Sequence, residues 1–201
     1  MRGADLSKFP KGHYGCILAD PAWPFRTYSR DDAIPQRAED DHYPSMSIDD
    51  MKALPVRQVA AKNCALFMWG IGSHIPAMLE IGNEWGFTFK TDVFYWLKQR
   101  MFDAANQLDW ITGDIEEPPI SMGYWSRKQV EPVFLFTRGS PPRLSSSVRQ
   151  VIVSPRREHS RKPEEQYEKI EALCGGPYLE MFSRSEREGW DSWGNEVGKF
   201  T

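Results

Sequence analysis

The stretch Tyr14-Gly15-Cys16-Ile17-Leu18-Ala19-Asp20-Pro21-Ala22-Trp23 decides how this chain folds. Its first six residues are mostly apolar, and the run is stopped by Pro21. Such a run reads as a short buried strand. A carboxylate, a rigid turn and a large aromatic then follow at the strand's C-terminal end. In open α/β sheets that end is where ligands bind.

The residues of the turn suit one chemistry, methyl transfer to the exocyclic amino group of a base. That nitrogen is a poor nucleophile because its lone pair is delocalised into the ring. Two acceptors on its hydrogens would pull it toward a tetrahedral shape and stabilise the charge that develops as it attacks. Asp20 offers a charged acceptor and the Pro21 carbonyl a neutral one. Preorganised groups of this kind are worth about 2.7–4 kcal/mol each. Proline fixes φ and so aims its own carbonyl. Trp23 offers a flat face for a base, worth about 1–3 kcal/mol. The methyl donor for such a site is S-adenosylmethionine. Alignment of donor and acceptor supplies much of the rate, so neither a metal nor a covalent intermediate is required.

Working outward, strands are expected at 15–19, 65–69, 93–97, 133–137, 150–153 and 178–182, with a short last one at 190–193. Helices are expected at 47–54, 74–85 and 163–173. The last is the best marked. Pro163 suits a first helical turn, Glu164 and Glu165 complement the helix dipole, and Gly175-Gly176 ends it. Strands separated by helices imply a mainly parallel sheet covered on both faces. Residues 1–201 are expected to form a single domain, because that length supports one core. Two polar segments, 26–41 and 98–121, read as loops over the site. The second is too long for an ordinary connection and is expected to be an insertion or lid.

Composition excludes several classes. At 40% hydrophobic and 26% charged residues, the chain is ordinary globular protein, with no apolar run of membrane-spanning length. Three cysteines, Cys16, Cys64 and Cys174, are odd in number and widely spaced. They fit neither a disulfide framework nor a zinc site. The expected compartment is therefore reducing, most simply a bacterial cytoplasm. The net charge is −3, yet residues 138–162 hold seven basic residues against one acidic, a local +6 that leaves −9 on the remainder. That segment is broken by Ser and Pro and lacks helical periodicity, so it reads as a strip for phosphate contacts.

The motifs together resemble the adenine-N6 methyltransferase family whose best-known members modify eukaryotic messenger RNA. Asp20-Pro21-Ala22-Trp23 is similar to that family's Asp-Pro-Pro-Trp, with Ala22 where a second proline is usual. The loss of one φ restraint costs about 0.4–1 kcal/mol of rigidity. The resemblance continues through Tyr43-Pro44-Ser45-Met46-Ser47, Leu66-Phe67-Met68-Trp69 and Gly123-Tyr124-Trp125-Ser126-Arg127. It runs on through His159-Ser160-Arg161-Lys162-Pro163, Leu179-Glu180-Met181-Phe182-Ser183-Arg184 and Gly189-Trp190-Asp191-Ser192-Trp193-Gly194-Asn195-Glu196. It covers nearly the whole chain and looks closest to the phage and bacterial DNA branch. It implies a Rossmann-like methyltransferase fold with permuted motif order, the catalytic strand early and the cofactor strand late.

Candidate roles follow. Asp20, Pro21, Ala22 and Trp23 form the catalytic turn, with Asp20 also near the donor. Lys162 lies at a helix start, within reach of an anion or ribose, and the resemblance implies contact with cofactor or substrate adenosine. Phe182 suits a cover for the donor's adenine and Arg184 a partner for its ribose. The resemblance carries the polar pair Asn195 and Glu196 over as cofactor contacts, and Tyr43 as a residue near the target base. Trp125, Arg127 and Glu131 are candidates for the acceptor pocket. Trp125 suits core or platform equally, and Glu131 requires a buried cation or a ligand. Arg156, Arg157 and His159 are candidates for phosphate.

The expected reaction is methylation of adenine in DNA. The same reaction on RNA, or a catalytically silent nucleic-acid-binding subunit, are the alternatives. A homodimer or a second subunit stays open, and no membrane or metal partner is expected. Replacing Arg156 and Arg157 together should weaken nucleic-acid binding and flatten its dependence on salt. Titrations at several salt concentrations check this, since each lost phosphate contact lowers the slope by about 0.7–0.9. An unchanged slope would place the phosphate contacts elsewhere.

Overall fold

The computed structural model describes residues 5–24, 46–99, 120, 125–155, 161–195 and 197–198. The loop expected at 26–41 lies outside the described residues, as do Tyr43, Arg156, Arg157, His159 and Glu196. Of the loop expected at 98–121, residues 98 and 99 instead continue a strand, residue 120 is described, and the rest lie outside the described residues.

Among the described residues, seven strands form one sheet. They are β1 (Tyr14–Ala19), β2 (Ala60–Trp69), β3 (Thr88–Gln99), β4 (Val130–Arg138), β5 (Val151–Pro155), β6 (Tyr178–Met181) and β7 (Trp190–Trp193). Their spatial order is β5-β3-β4-β2-β1-β6-β7. All neighbours pair in parallel except β4, which runs against both β2 and β3. The helices are α1 (Ile48–Ala53), α2 (Val56–Val59), α3 (Ile75–Glu84) and α4 (Glu165–Leu173). This is the expected Rossmann-like α/β architecture. The early strand β1 and the late strand β6 lie side by side, as the permuted order requires.

Each face of the sheet has its own core. Ile17 and Ala19 of β1 point to one side, with Met51 of α1, Met78 and Ile81 of α3, and Phe136 of β4. Cys16 and Leu18 point to the other, with Phe67, Phe94, and Tyr167 and Ile170 of α4. Because β1 is buried on both faces, its sequence had to be apolar at every position rather than at alternate ones. All three cysteines are buried thiols, and burial pushes Cys64 up to about 12.

Several elements differ in length from expectation. β2, β3 and β4 are each longer than their apolar centres, because their outer residues pair at the sheet's ends while their side chains meet solvent. α2, a single turn, was not expected, since four residues are too few to show a helical period. The strand expected to reach Phe182 ends at Met181, and Phe182 turns to φ 63°.

The topology creates the crevice. From β1 the chain proceeds to β2 on one side, and its last strands lie on the other. Such a switch point opens a cleft at the strands' C-terminal ends, where Asp20 follows β1 and Phe182 follows β6.

Helix α3 packs so tightly on this sheet that a Cβ added at Gly82 would lie 2.5 Å from Cε1 of the buried Phe136. Gly82→Ala should therefore lower stability by about 1–3 kcal/mol despite alanine's better helix propensity. Denaturant unfolding checks this, and a stabilised variant would show that α3 lies farther from β4.

Candidate active site

The turn after β1 is held at several points. The Asp20 amide reaches the Met181 carbonyl at 3.4 Å, tying the turn to β6. The Trp23 amide donates to the Pro21 carbonyl at 2.9 Å. One lone pair of that carbonyl is thus engaged within the turn, and a second acceptor site remains on the oxygen of the buried Pro21. The Trp23 indole donates to the Trp69 carbonyl at 3.2 Å and its ring meets His74 at 5.5 Å. Trp23 is 8% exposed, so the stacking face expected of it is largely covered and the ring belongs to the core.

Asp20 faces Lys162, whose ammonium lies 3.1 Å from Oδ2. The same ammonium lies 3.4 Å from Oε2 of Glu131, and the other oxygen of Glu131 pairs with Lys98. The four side chains form a chain of alternating charge, Asp20–Lys162–Glu131–Lys98. Two tryptophans floor it: Lys162 lies 5.2 Å from the ring centre of Trp69, and Lys98 lies 5.2 Å from that of Trp96. Trp69 is itself fixed by a 2.7 Å bond from its indole to Gln166 of α4. The expectation that Glu131 needs a cationic partner is met twice. Burial alone would raise its pKa, but Lys162 and Lys98 outweigh burial and hold it at about 2. For Lys162, burial works against the charge, and Asp20 and Glu131 reverse the balance to raise it.

Beside this chain lies the end of β6. Asp20, Lys162, Phe182 and Arg184 line one cleft, together with Glu180 and Tyr167. The sequence reading did not single out Glu180. It accepts from the Tyr167 hydroxyl at 3.1 Å and contacts the Ser183 hydroxyl at 3.0 Å. Burial raises its pKa to about 7, against those two hydrogen bonds and with help from the Asp20 and Glu164 charges. The signal was present in the sequence, as a carboxylate in the middle of an otherwise apolar strand.

The turns after β6 and β7 touch. The Ser183 amide donates to the Trp193 carbonyl at 3.0 Å, and a Cβ at Gly194 would lie 2.4 Å from the Ser183 carbonyl oxygen. Phe182 packs edge-on against Trp193 at 5.3 Å. The exposed Asn195 is thereby carried next to the turn that bears Phe182 and Arg184.

Other expectations are corrected. Trp125 is 94% exposed, which excludes the core role, and Arg127 is exposed beside it. Among the described residues of the basic segment, its two ends are engaged in different places. Arg138 donates to the Arg57 carbonyl at 2.8 Å, at the end of β4 remote from Asp20, whereas Lys162 is committed to the carboxylates of the site. Among the described residues no helix is long and apolar enough to cross a membrane. No group of three or more His, Cys, Asp or Glu among them could hold a metal ion.

The MT-A70 family model matches residues 14–196. The chain belongs to the MT-A70 family. It is similar to the type II methyltransferase M.MunI of a Mycoplasma species, at 27% identity over 206 residues, covering 94% of this chain and 80% of that protein. It is also similar to the human N(6)-adenosine-methyltransferase catalytic subunit METTL3, at 27% identity over 192 residues, 92% of this chain but 28% of that one. The mouse N(6)-adenine-specific methyltransferase METTL4 is 27% identical over 193 residues, 93% of this chain and 38% of its own length. MT-A70 methyltransferases use S-adenosylmethionine as methyl donor. The cleft's chemistry fits that group, since acidic side chains suit a sulfonium cation and an aromatic and an arginine suit an adenosine.

The pKa of Glu180 gives a pH test. A carboxyl raised in the folded state holds its proton more tightly there than in the unfolded chain. It costs nothing below its ordinary 4.5, and the cost grows with pH until about 7. Glu180→Gln, which resembles the protonated acid, should therefore be more stable than the parent at pH 8 by up to roughly 3 kcal/mol. The advantage should vanish near pH 4.5. Denaturant midpoints across that range check it, and a difference independent of pH would contradict it.

Proposed function

We propose that this MT-A70 methyltransferase methylates the exocyclic 6-amino group of adenine in DNA. The observation that carries the reading is one cleft shared by Asp20, Lys162, Phe182 and Arg184, with the Pro21 carbonyl on the same turn as Asp20. When bound, S-adenosylmethionine supplies the methyl as an electrophilic sulfonium. Phe182 and Arg184 would hold its adenosine, with Asn195 beside them. Asp20 and the Pro21 carbonyl accept hydrogen bonds from the target amino group and strengthen as positive charge builds on its nitrogen. A carboxylate has about four acceptor sites, so Asp20 serves the amino group while Oδ2 still faces Lys162. The product nitrogen's proton is very acidic and leaves to Asp20 or water.

DNA is favoured by the coverage of M.MunI, which this chain matches over 80% of its length. RNA is the second reading, favoured by the likeness to METTL3. Discrimination between them rests on contacts to the 2′-hydroxyl, which the site residues do not decide. In duplex the target base must leave the stack to reach Asp20, at a cost of a few kcal/mol.

The test is methyl incorporation from labelled S-adenosylmethionine into matched single- and double-stranded DNA and RNA, with the methylated nucleoside identified by mass spectrometry. The 6-methyl deoxynucleoside in DNA is expected. Product in RNA alone would replace the substrate and keep the mechanism. Asp20→Ala should lower turnover about a hundredfold or more in a chain that still folds, though less stably, because Glu131 still pairs Lys162. Unchanged turnover would remove Asp20 from the chemistry.

A further inference from the structure

His74 stands immediately before α3, and its imidazole reaches across to the end of the catalytic turn. Nε2 lies 2.9 Å from the Pro24 carbonyl oxygen, and Nδ1 lies 3.0 Å from the Ser73 hydroxyl. A carbonyl only accepts, so Nε2 carries the hydrogen. In the neutral ring Nδ1 then accepts from Ser73. The same imidazole packs against the Trp23 ring. Met78 and Ile81 bury α3 in the core, so the histidine is mounted on a rigid element.

The turn it grips has one loose joint. Proline fixes φ at positions 21 and 24, and Trp23 is fixed by its indole bond to Trp69. Ala22 has no such restraint of its own. The Trp23 amide donates to the Pro21 carbonyl, an i to i+2 bond that makes Ala22 the centre of a γ-turn. Ala22 is not among the residues with positive φ, so the turn is the inverse form, whose central residue has an ideal φ of about −75°. That value lies within the range of proline, about −65 ± 15°.

We propose that His74 is a positioning residue for the methyl-transfer turn: by holding the Pro24 carbonyl and the Trp23 ring, it supplies from α3 the rigidity that Ala22 leaves out. The assignment rests on the reading of Asp20 and Pro21 as the groups that engage the target amine. His74 does not touch the reacting atoms. It keeps Asp20 and the Pro21 carbonyl aimed, so its loss is felt in turnover rather than in cofactor affinity.

The experiment uses the full chain in two measurements: methyl transfer to an adenine-containing oligonucleotide, and hydrogen exchange at the Trp23 amide and indole. His74→Ala should lower kcat about tenfold or more while the affinity for S-adenosylmethionine stays within about twofold. His74→Gln, which retains a donor for the Pro24 carbonyl, should recover most of the turnover. His74→Phe, which retains only the ring contact, should not. Adding Ala22→Pro to His74→Ala should restore turnover and slow the exchange that the single variant accelerates.

Wild-type turnover in His74→Phe would overturn the proposal, as would a double variant no better than His74→Ala. If the parent protein transfers methyl to no acceptor, the methyl-transfer reading fails by itself, and exchange decides the clamp. Faster Trp23 exchange in His74→Ala then supports it, and unchanged exchange overturns it.

Discussion

The site depends on one cation, the ammonium of Lys162, shared between Asp20 and Glu131. Three separate parts of the fold meet there: the end of β1, the start of β4 and the segment leading into α4. Each charge is largely withdrawn from water, and each is compensated by the next. Burial disfavours the lysine's charge and the two carboxylates restore it. Removing one partner of such a cluster costs roughly a few kcal/mol, because it strands the others. Lys98 closes the chain at its outer end, so the four groups are neutral as a set. The ammonium also occupies a donor position at Asp20, the same kind of position that an adenine amino group would take.

The sheet makes this meeting possible. The register Leu18↔Glu180 and Ala19↔Met181 sets Asp20 beside the turn at Phe182. The register Trp69↔Val133 brings the first residues of β4 to the same end of the sheet, which is how Glu131 reaches Lys162. The reversed direction of β4 is essential here. Its N-terminal residues lie beside the C-terminal ends of β1 and β2, where a parallel strand would present its last residues.

Much of this could be read from the sequence because burial leaves a strong imprint. The unbroken apolar run before Asp20 announced a central strand, and the proline and acidic residues after Lys162 announced α4. Glu131 had to be paired, since a carboxylate next to a buried strand is costly alone. What escaped the reading had weaker signals. Lys98 looked like the start of a loop, because β3 continues past its apolar centre. Glu180 was hidden inside the strand it shares with Leu179 and Met181, and His74 looked like an ordinary helix start. Trp23 and Trp125 show a further limit. One is core and the other is exposed, and side-chain type alone does not separate a buried indole from a surface one.

The most direct test is a crystal structure with S-adenosylhomocysteine and a short adenine-containing oligonucleotide bound. The target amino group is expected within hydrogen-bonding distance of both the Asp20 carboxylate and the Pro21 carbonyl, with Oδ2 of Asp20 still facing Lys162. An adenine seated away from that turn would contradict the account.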